Sequence, residues 1–439
     1  MSNNYAGKFV SAETAVKAVQ PGDWVDYGFG AGFPELLDRA LAARRDELTD
    51  VKIRGGLVIR PRIEVVESDP EQKAFSYYSW HIGDYERKLQ TRGLCKFMPM
   101  MLRSLPEMYR HHIRVDVAFV PVSRPDADGY CGLGISNYAW RTIFENARTV
   151  IFEINERLPR LQGVDGSHRV HLSEADFIVE GEHEPLPIRT YRDPSAVDIE
   201  IAKRVVEEIP DGAVLSLGVG GVPFTVANML AQSDKTDLGC HTGTISDAFL
   251  ALYKAGKLTN KKKEIDNGYS TWNLAMGSQE LYDWLDNEPQ LFHPADVDYV
   301  HSPYRIGEMK NVISINGGVE LDLMGQENAE SAGTRQLSGI GGQMDIASKL
   351  SREAISTRNW SDTNPDPLLA RLEDELRDNI NKLGLGAAGT GGDTVCLAVK
   401  IGTAATHTAI APVAINFHCW VARRAGIRMY NDGRIEKLL

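Results

Sequence analysis

Long apolar runs are missing from this chain of 439 residues, and nothing in it approaches the length that crosses a bilayer. The opening MSNNYAGKFVSAET lacks the basic and apolar regions of a secretion signal, so the expectation is a cytoplasmic protein. Cysteine is scarce. Five residues (Cys95, Cys131, Cys240, Cys396, Cys419), odd in number and widely scattered, argue against a disulfide framework and for reduced thiols. Positive charge is also in deficit: 48 Lys and Arg against 60 Asp and Glu give a net charge of -12. That balance argues against nucleic acid or an anionic membrane as the main partner, although a local basic groove can still hold an anionic ligand. Disorder-prone composition is absent too, since 43% of the residues are hydrophobic and 25% charged, with a mean hydropathy of -0.27.

What is present is an alternation of helical patterns with short β-branched strands, the signature of a parallel sheet covered on both faces. At this length more than one core is expected. SAETAVKAV (11–19) has a Ser cap and helical apolar spacing, and PELLDRALAARRDEL (34–48) reads as a second amphipathic helix. VKIRGGLVIR (51–60), VDVAFVPVS (115–123) and ARTVIFEIN (147–155) are strand candidates of the buried kind. The charged, proline-rich stretch EGEHEPLPIRTYRDPSAVD (180–198) suits a linker. After it the scheme restarts, with IEIAKRVVEEI as helix, DGAVLSLG as strand and VPFTVANMLAQ as helix. The restart repeats the order of 11–41, a weak internal repeat that predicts two similar open α/β halves with a cleft between them. The predicted domains are 1–190, 191–345 and a C-terminal segment 346–439.

Two glycine clusters and one carboxylate pair carry the local chemistry. In LSLGVGGVPFTVANML (215–230), Gly218, Gly220 and Gly221 let a strand turn sharply into a helix whose first amides can meet an anion such as a pyrophosphate. The same spacing also fits a tight turn with no ligand, because it matches neither dinucleotide nor Lys-containing phosphate loops. A second cluster, QLSGIGGQMD (336–345), follows SINGGVELDLMGQENAES (314–331). There Glu320 and Asp322 share one face of a predicted strand, either as an acid and base pair or as a solvated face.

Taken as an ordered set, several of these motifs resemble one family. KFVSAETAVKAVQPGD, GVGGVP, DLGCHTGTISD, MGSQELYDWLDNEP, SINGGVELDLMGQENAES and QLSGIGGQMD, spanning about 8 to 345, are similar to the acetyl-CoA hydrolase/CoA-transferase family. The likeness is to its butyryl-CoA:acetate and 4-hydroxybutyrate CoA-transferase branch. The resemblance implies a homo-oligomer with two α/β halves and an active site between them, acting on an acyl-CoA and a small carboxylic acid. It implies coenzyme A as substrate, with no resident metal. In the family a glutamate carboxylate attacks the thioester and forms an acyl-glutamyl anhydride, then a glutamyl-CoA thioester. Donors for the thioester oxygen would be the backbone N–H groups of Val219 and Gly341. Gly218, Gly220, Gly221, Val222, Pro223 and Gly342 would hold the coenzyme side.

The sequence departs from the family twice. The family nucleophile follows His-Thr, and here that position is Gly243, expected in a turn between strand and helix in DLGCHTGTISD (237–247). Glycine has nothing to acylate. Either the exchange is lost, or Glu320 substitutes, or a water fills the space with His241 as base or as a plain structural group. The second departure lies after GIGGQMD, where residues 364–425 resemble the α-domain end of iron-sulfur fumarases and tartrate dehydratases. LEDELRDNINKLGLG, GTGGDT and VAINFHCWVARR carry that likeness, and Cys419 matches one cluster ligand. The companion thiolates have no counterpart, so an iron-sulfur cluster is not expected, and Cys419 reads as a core residue. The GIGG at 339–342 is common to both families and marks a plausible fusion point. Three functions are therefore open: a CoA-transferase-like enzyme reduced to thioester hydrolysis or not, a coenzyme-binding scaffold, and, least supported, a fumarase-type hydratase.

Overall fold

The computed structural model describes residues 3–60, 62–321, 327–347, 396–401, 427–429 and 435–437. The first half begins where Ser11 caps a short helix, its Oγ accepting the Thr14 amide at 3.3 Å. Nine strands follow: β1 Trp24–Phe29, β2 Val51–Gly56, β3 Phe75–Ser79, β4 Cys95–Phe97, β5 Val117–Val122, β6 Tyr130–Gly132, β7 Thr149–Ile154, β8 Arg169–His171 and β9 Phe177–Glu180. Seven of them form one sheet in the order β4-β3-β2-β1-β5-β7-β9, paired in parallel throughout. Every residue of β5 is buried, as its VAFVPV run predicts for a strand covered on both faces. β6 and β8 pair separately and antiparallel.

The expected strand 51–60 stops early. A Cβ at Gly56 would lie 2.8 Å from Phe29 Cε2 and 2.9 Å from Trp80 Cδ1, so the sheet closes tightly there. The chain then leaves it as a loop, Leu57 to Arg60. The expected helix 34–48 is regular only over Glu35–Ala42, and turns complete it. Within the sheet Asp26 and Arg54 are register partners on β1 and β2. Arg54 Nε donates to Asp26 Oδ1 at 3.0 Å, with the pair 1% and 0% exposed.

The segment 181–195 crosses to the second half without regular structure, as its composition predicts. Ser195 then starts helix Ala196–Glu207 with a reciprocal cap: its Oγ accepts the Asp198 amide, and its own amide donates to Asp198 Oδ2 at 2.8 Å. The second sheet is built from β10 Val214–Leu217, β11 Gly239–Ile245, β12 Ser270–Ala275, β13 Phe292–Pro294 and β14 Val312–Gly318. Its order is β13-β12-β11-β10-β14, again parallel, and Cys396–Ile401 lies antiparallel along β14. Helix Gly221–Gln232 buries Val222, Val226 and Leu230 against this sheet. The fold is α/β with two open, similarly built halves.

The halves touch through backbone. Asn137 N donates to Asn273 O at 2.7 Å, Ala275 N to Ile135 O at 2.8 Å, and Met101 bridges Gly341. These contacts bring the carboxyl ends of β1, β2, β10, β11 and β12 around one cleft, the usual position for a ligand in open α/β sheets. Among the described residues, no helix is long and apolar enough to cross a membrane.

Candidate active site

The cleft encloses about 680 Å³ and is lined from both halves. From the first come Phe29, Leu57, Arg60, His81 and Arg87; from the second, Arg189, Gly218, Val219, Gly243, Asn273 and His301. The run Leu337 to Gln343 closes one side.

The first glycine loop follows β10 directly. Gly218 approaches β14 so closely that a Cβ would meet Asn316 Oδ1 at 2.7 Å and Ile315 O at 3.2 Å. Gly220 occupies the cap position of helix Gly221–Gln232 and supplies no side-chain bond, so the first amides of the helix have no side-chain cap. Val219, 38% exposed, lines the cleft between these two glycines. Gly220, Gly221, Val222 and Pro223 are not among the lining residues, and Val222 packs into the core.

The second loop is held against the first half of the molecule. Arg87 Nη1 donates to Leu337 O at 2.6 Å, and Ser338 Oγ lies 3.0 Å from His81 Nε2. A Cβ at Gly339 would be 2.6 Å from Trp80 O, which leaves room for glycine alone. Gly341 has φ of 57°, in the left-handed region that glycine enters without strain. Gly341 and Gly342 both line the cleft.

Gly243 also lies in this cleft, though not in a turn. It is inside β11, and the following helix begins only at Asp247. Nor is the space beside it empty, because a histidine stands against it. A Cβ on Gly243 would lie 2.9 Å from Cε1 and 3.1 Å from Nε2 of His301. A Cβ on Gly342 would lie 2.0 Å from the same Cε1 and 2.3 Å from Nδ1. The imidazole is thus clasped between two glycines that belong to different elements. Local sequence explains its placement: Asp296 caps helix Val297–Val300 and Pro303 opens the next, leaving His301 at the joint.

His301 is 1% exposed, and its Nε2 lies 3.2 Å from Asn273 Oδ1. Its Nδ1 has no hydrogen-bond partner and sits 4.0 Å from Asp345 Oδ2. Desolvation pushes its pKa down to about 4, so the ring is neutral near neutral pH. Asp345 is fully buried, receives the Arg103 amide on Oδ2 at 3.2 Å, and is pushed up to about 6 by burial. The cleft also holds cations. Arg60 pairs with Glu35 and Arg87 with Asp84, while Arg189 has no ion pair among the described residues.

His241, weighed as a base, points elsewhere. Its Nε2 is 2.8 Å from Val300 O, burial takes its pKa down to about 3, and it does not line the cleft. Glu320 has its backbone in the short strand Glu320–Leu321, but its side chain, Asp322 and Cys419 lie outside the described residues. Among the described residues, no group of three or more His, Cys, Asp or Glu is placed to hold a metal.

Family models match this architecture. The acetyl-CoA hydrolase/transferase N-terminal domain matches residues 1–189 and the C-terminal domain of the same name residues 277–358. The probable butyrate:acetyl-CoA coenzyme A-transferase of Syntrophomonas wolfei is 40% identical over 343 residues, 78% of this chain and 76% of that protein. The chain belongs to the acetyl-CoA hydrolase/transferase family. Its fold is shared by solved structures: RipA from Yersinia pestis superposes with a TM-score of 0.71 and 30% identity over 79% of each chain. A fumarate hydratase model matches residues 338–428 of this acetyl-CoA hydrolase/transferase family member. There the putatively named L(+)-tartrate dehydratase subunit alpha of Methanocaldococcus jannaschii is 44% identical over 97 residues, 22% of this chain and 34% of that protein. Both expected likenesses are thus found, and the two matches overlap over residues 338–358.

Sequence reasoning missed His301, Asn273 and Asp345. No local motif marks the histidine, because the two glycines that make room for it are remote from it in the chain.

Proposed function

We propose that the chain binds a short-chain acyl-CoA thioester and a small carboxylic acid in the cleft between its two sheets, as a CoA-transferase-like enzyme. The observation that carries this reading is the convergence of both glycine loops on Gly243 within one cleft. The thioester oxygen is assigned to the Val219 and Gly341 amides, an arrangement that stabilises developing negative charge without reorganisation. Gly218 and Gly342 leave the backbone close to the ligand, and Gly220, Gly221, Val222 and Pro223 form the helix start on the coenzyme side. Arg189 and Arg87 place positive charge where phosphates or a carboxylate enter.

With glycine at 243, no glutamyl thioester can form at that position. The cleft keeps the means to hold and polarise a thioester while lacking the family's nucleophile. Residues 1–190 and 191–345 form its two walls in this reading, with 346–439 as an appended segment and a homo-oligomer as the working assembly. Calorimetric titration with acetyl-CoA tests the reading: saturable binding that weakens in an Arg189→Ala variant supports it. Undetectable binding by the folded wild-type chain refutes it.

A further inference from the structure

The imidazole of His301 would crowd a Cβ at 243, at 2.9 Å from Cε1, and both residues line the cleft. Three features bear on its role. Both of its flanks are glycine, on β11 and on the second glycine loop, so the backbone is pared back on each side to admit the ring. One nitrogen, Nδ1, is buried without a hydrogen bond, as are Nδ1 of His81, His168 and His241, but here a carboxylate stands nearby. The carboxylate closest to that nitrogen among its ion-pair partners is Asp345, at 4.0 Å.

We propose that His301 is a catalytic base in this chain, activating water for thioester hydrolysis in place of the missing carboxylate, with Asp345 as a positioning residue. The proposal rests on the reading of the cleft as an acyl-CoA site. A modest rotation of the ring brings Nδ1–H onto Asp345 Oδ2, and contacts of this kind are commonly long before ligand binds. That tautomer leaves the lone pair on Nε2, the nitrogen beside Gly243. In that tautomer Nε2 cannot donate to Asn273 Oδ1, so the Asn273 side chain turns aside and the attacking water takes its place against the lone pair.

The step balances without a further reactant. A water oxygen bonds to the thioester carbon while one of its protons passes to Nε2. The carbonyl electron pair moves onto oxygen, facing the Val219 and Gly341 amides. Collapse breaks the C–S bond, and the departing thiolate takes the proton from Nε2–H, giving a free acid and the coenzyme thiol. The groups facing the ring are Asp345 and Arg103 behind it, Asn273 at its edge and His241 on the neighbouring stretch of β11.

Thiol release from acetyl-CoA without acceptor acid, measured beside calorimetric binding, tests the proposal. Wild-type protein is expected to release thiol and, in oxygen-18 water, to place one label in the acetate. His301→Gln is expected to bind acetyl-CoA and melt near the wild-type temperature, with kcat lower by about 10²–10⁴-fold. Asp345→Asn should lower kcat less, leave KM unchanged and alter the pH profile. In His301→Gly, added imidazole should restore release by filling the ring-sized space. Bound acetyl-CoA that releases no thiol in the wild type, or a His301→Gln rate equal to wild type, overturns the proposal while leaving the cleft assignment intact. Failure of the wild type to bind overturns the cleft assignment and the base together.

Discussion

Placing glutamate at 243 is the most direct perturbation of this site, and the packing around His301 sets its outcome. The backbone of Gly243 lies in a regular strand and accepts a side chain without strain. The obstacle is the ring, whose Cε1 and Nε2 would stand 2.9 Å and 3.1 Å from the new Cβ. Retreat is blocked on the far side, where a Cβ on Gly342 would already meet Cε1 at 2.0 Å. Forcing extra atoms into such a contact costs about 1–3 kcal/mol. It also displaces the new carboxylate, and a nucleophile misplaced by ~1 Å loses about a hundredfold in rate. Gly243→Glu alone is therefore expected to melt several degrees lower and to exchange coenzyme A slowly. Combining it with His301→Ala opens the space and should raise the exchange rate by about a hundredfold. The assay is coenzyme A exchange between acetyl-CoA and propionate, with the glutamyl thioester detected by mass spectrometry after borohydride. A single variant that exchanges as fast as the double variant and melts like wild type would refute the packing argument.

Other consequences are open to measurement. Asp345 has a folded-state pKa raised to about 6, so its carboxylate form, and thiol release with it, should rise as pH climbs through 6 and then level off. Asp345→Asn should abolish that limb. For stability the sign is opposite: the folded state binds this proton more tightly than the unfolded chain, so the contribution is lost as pH rises through the same value. Asp26→Asn strands the buried Arg54 guanidinium and should cost about 3–5 kcal/mol in urea denaturation, without changing acetyl-CoA affinity in the folded protein. His241→Asn removes one buried hydrogen bond to Val300 and should lower stability by about 1 kcal/mol, with thiol release per folded molecule held within threefold or so. A tenfold loss of rate there would return His241 to the reaction. Iron analysis of anaerobically purified protein should find far less than one cluster per chain, and a stoichiometric content would revive the hydratase reading.

Much of the fold was legible in the chain because it depends on short-range pattern. Buried β-branched runs, the Ser11 cap and the restart after the linker predict two parallel α/β sheets, and each signal spans only a few residues. The ordered motifs likewise place both glycine loops in one family, and against that family's pattern they single out Gly243. What stands beside Gly243 is a different matter. The expected turn is a strand, since β12 pairs along its length, and the expected gap is filled. His301 reaches it only because two sheets and the second glycine loop converge there, and its neighbours Asn273 and Asp345 come from separate elements. The sequence alone, through its family likeness, pointed to Gly243 as the position to examine. Only tertiary packing decided what stands beside it, because close contact between residues remote in the chain is set by how the layers meet and leaves no local periodicity to read.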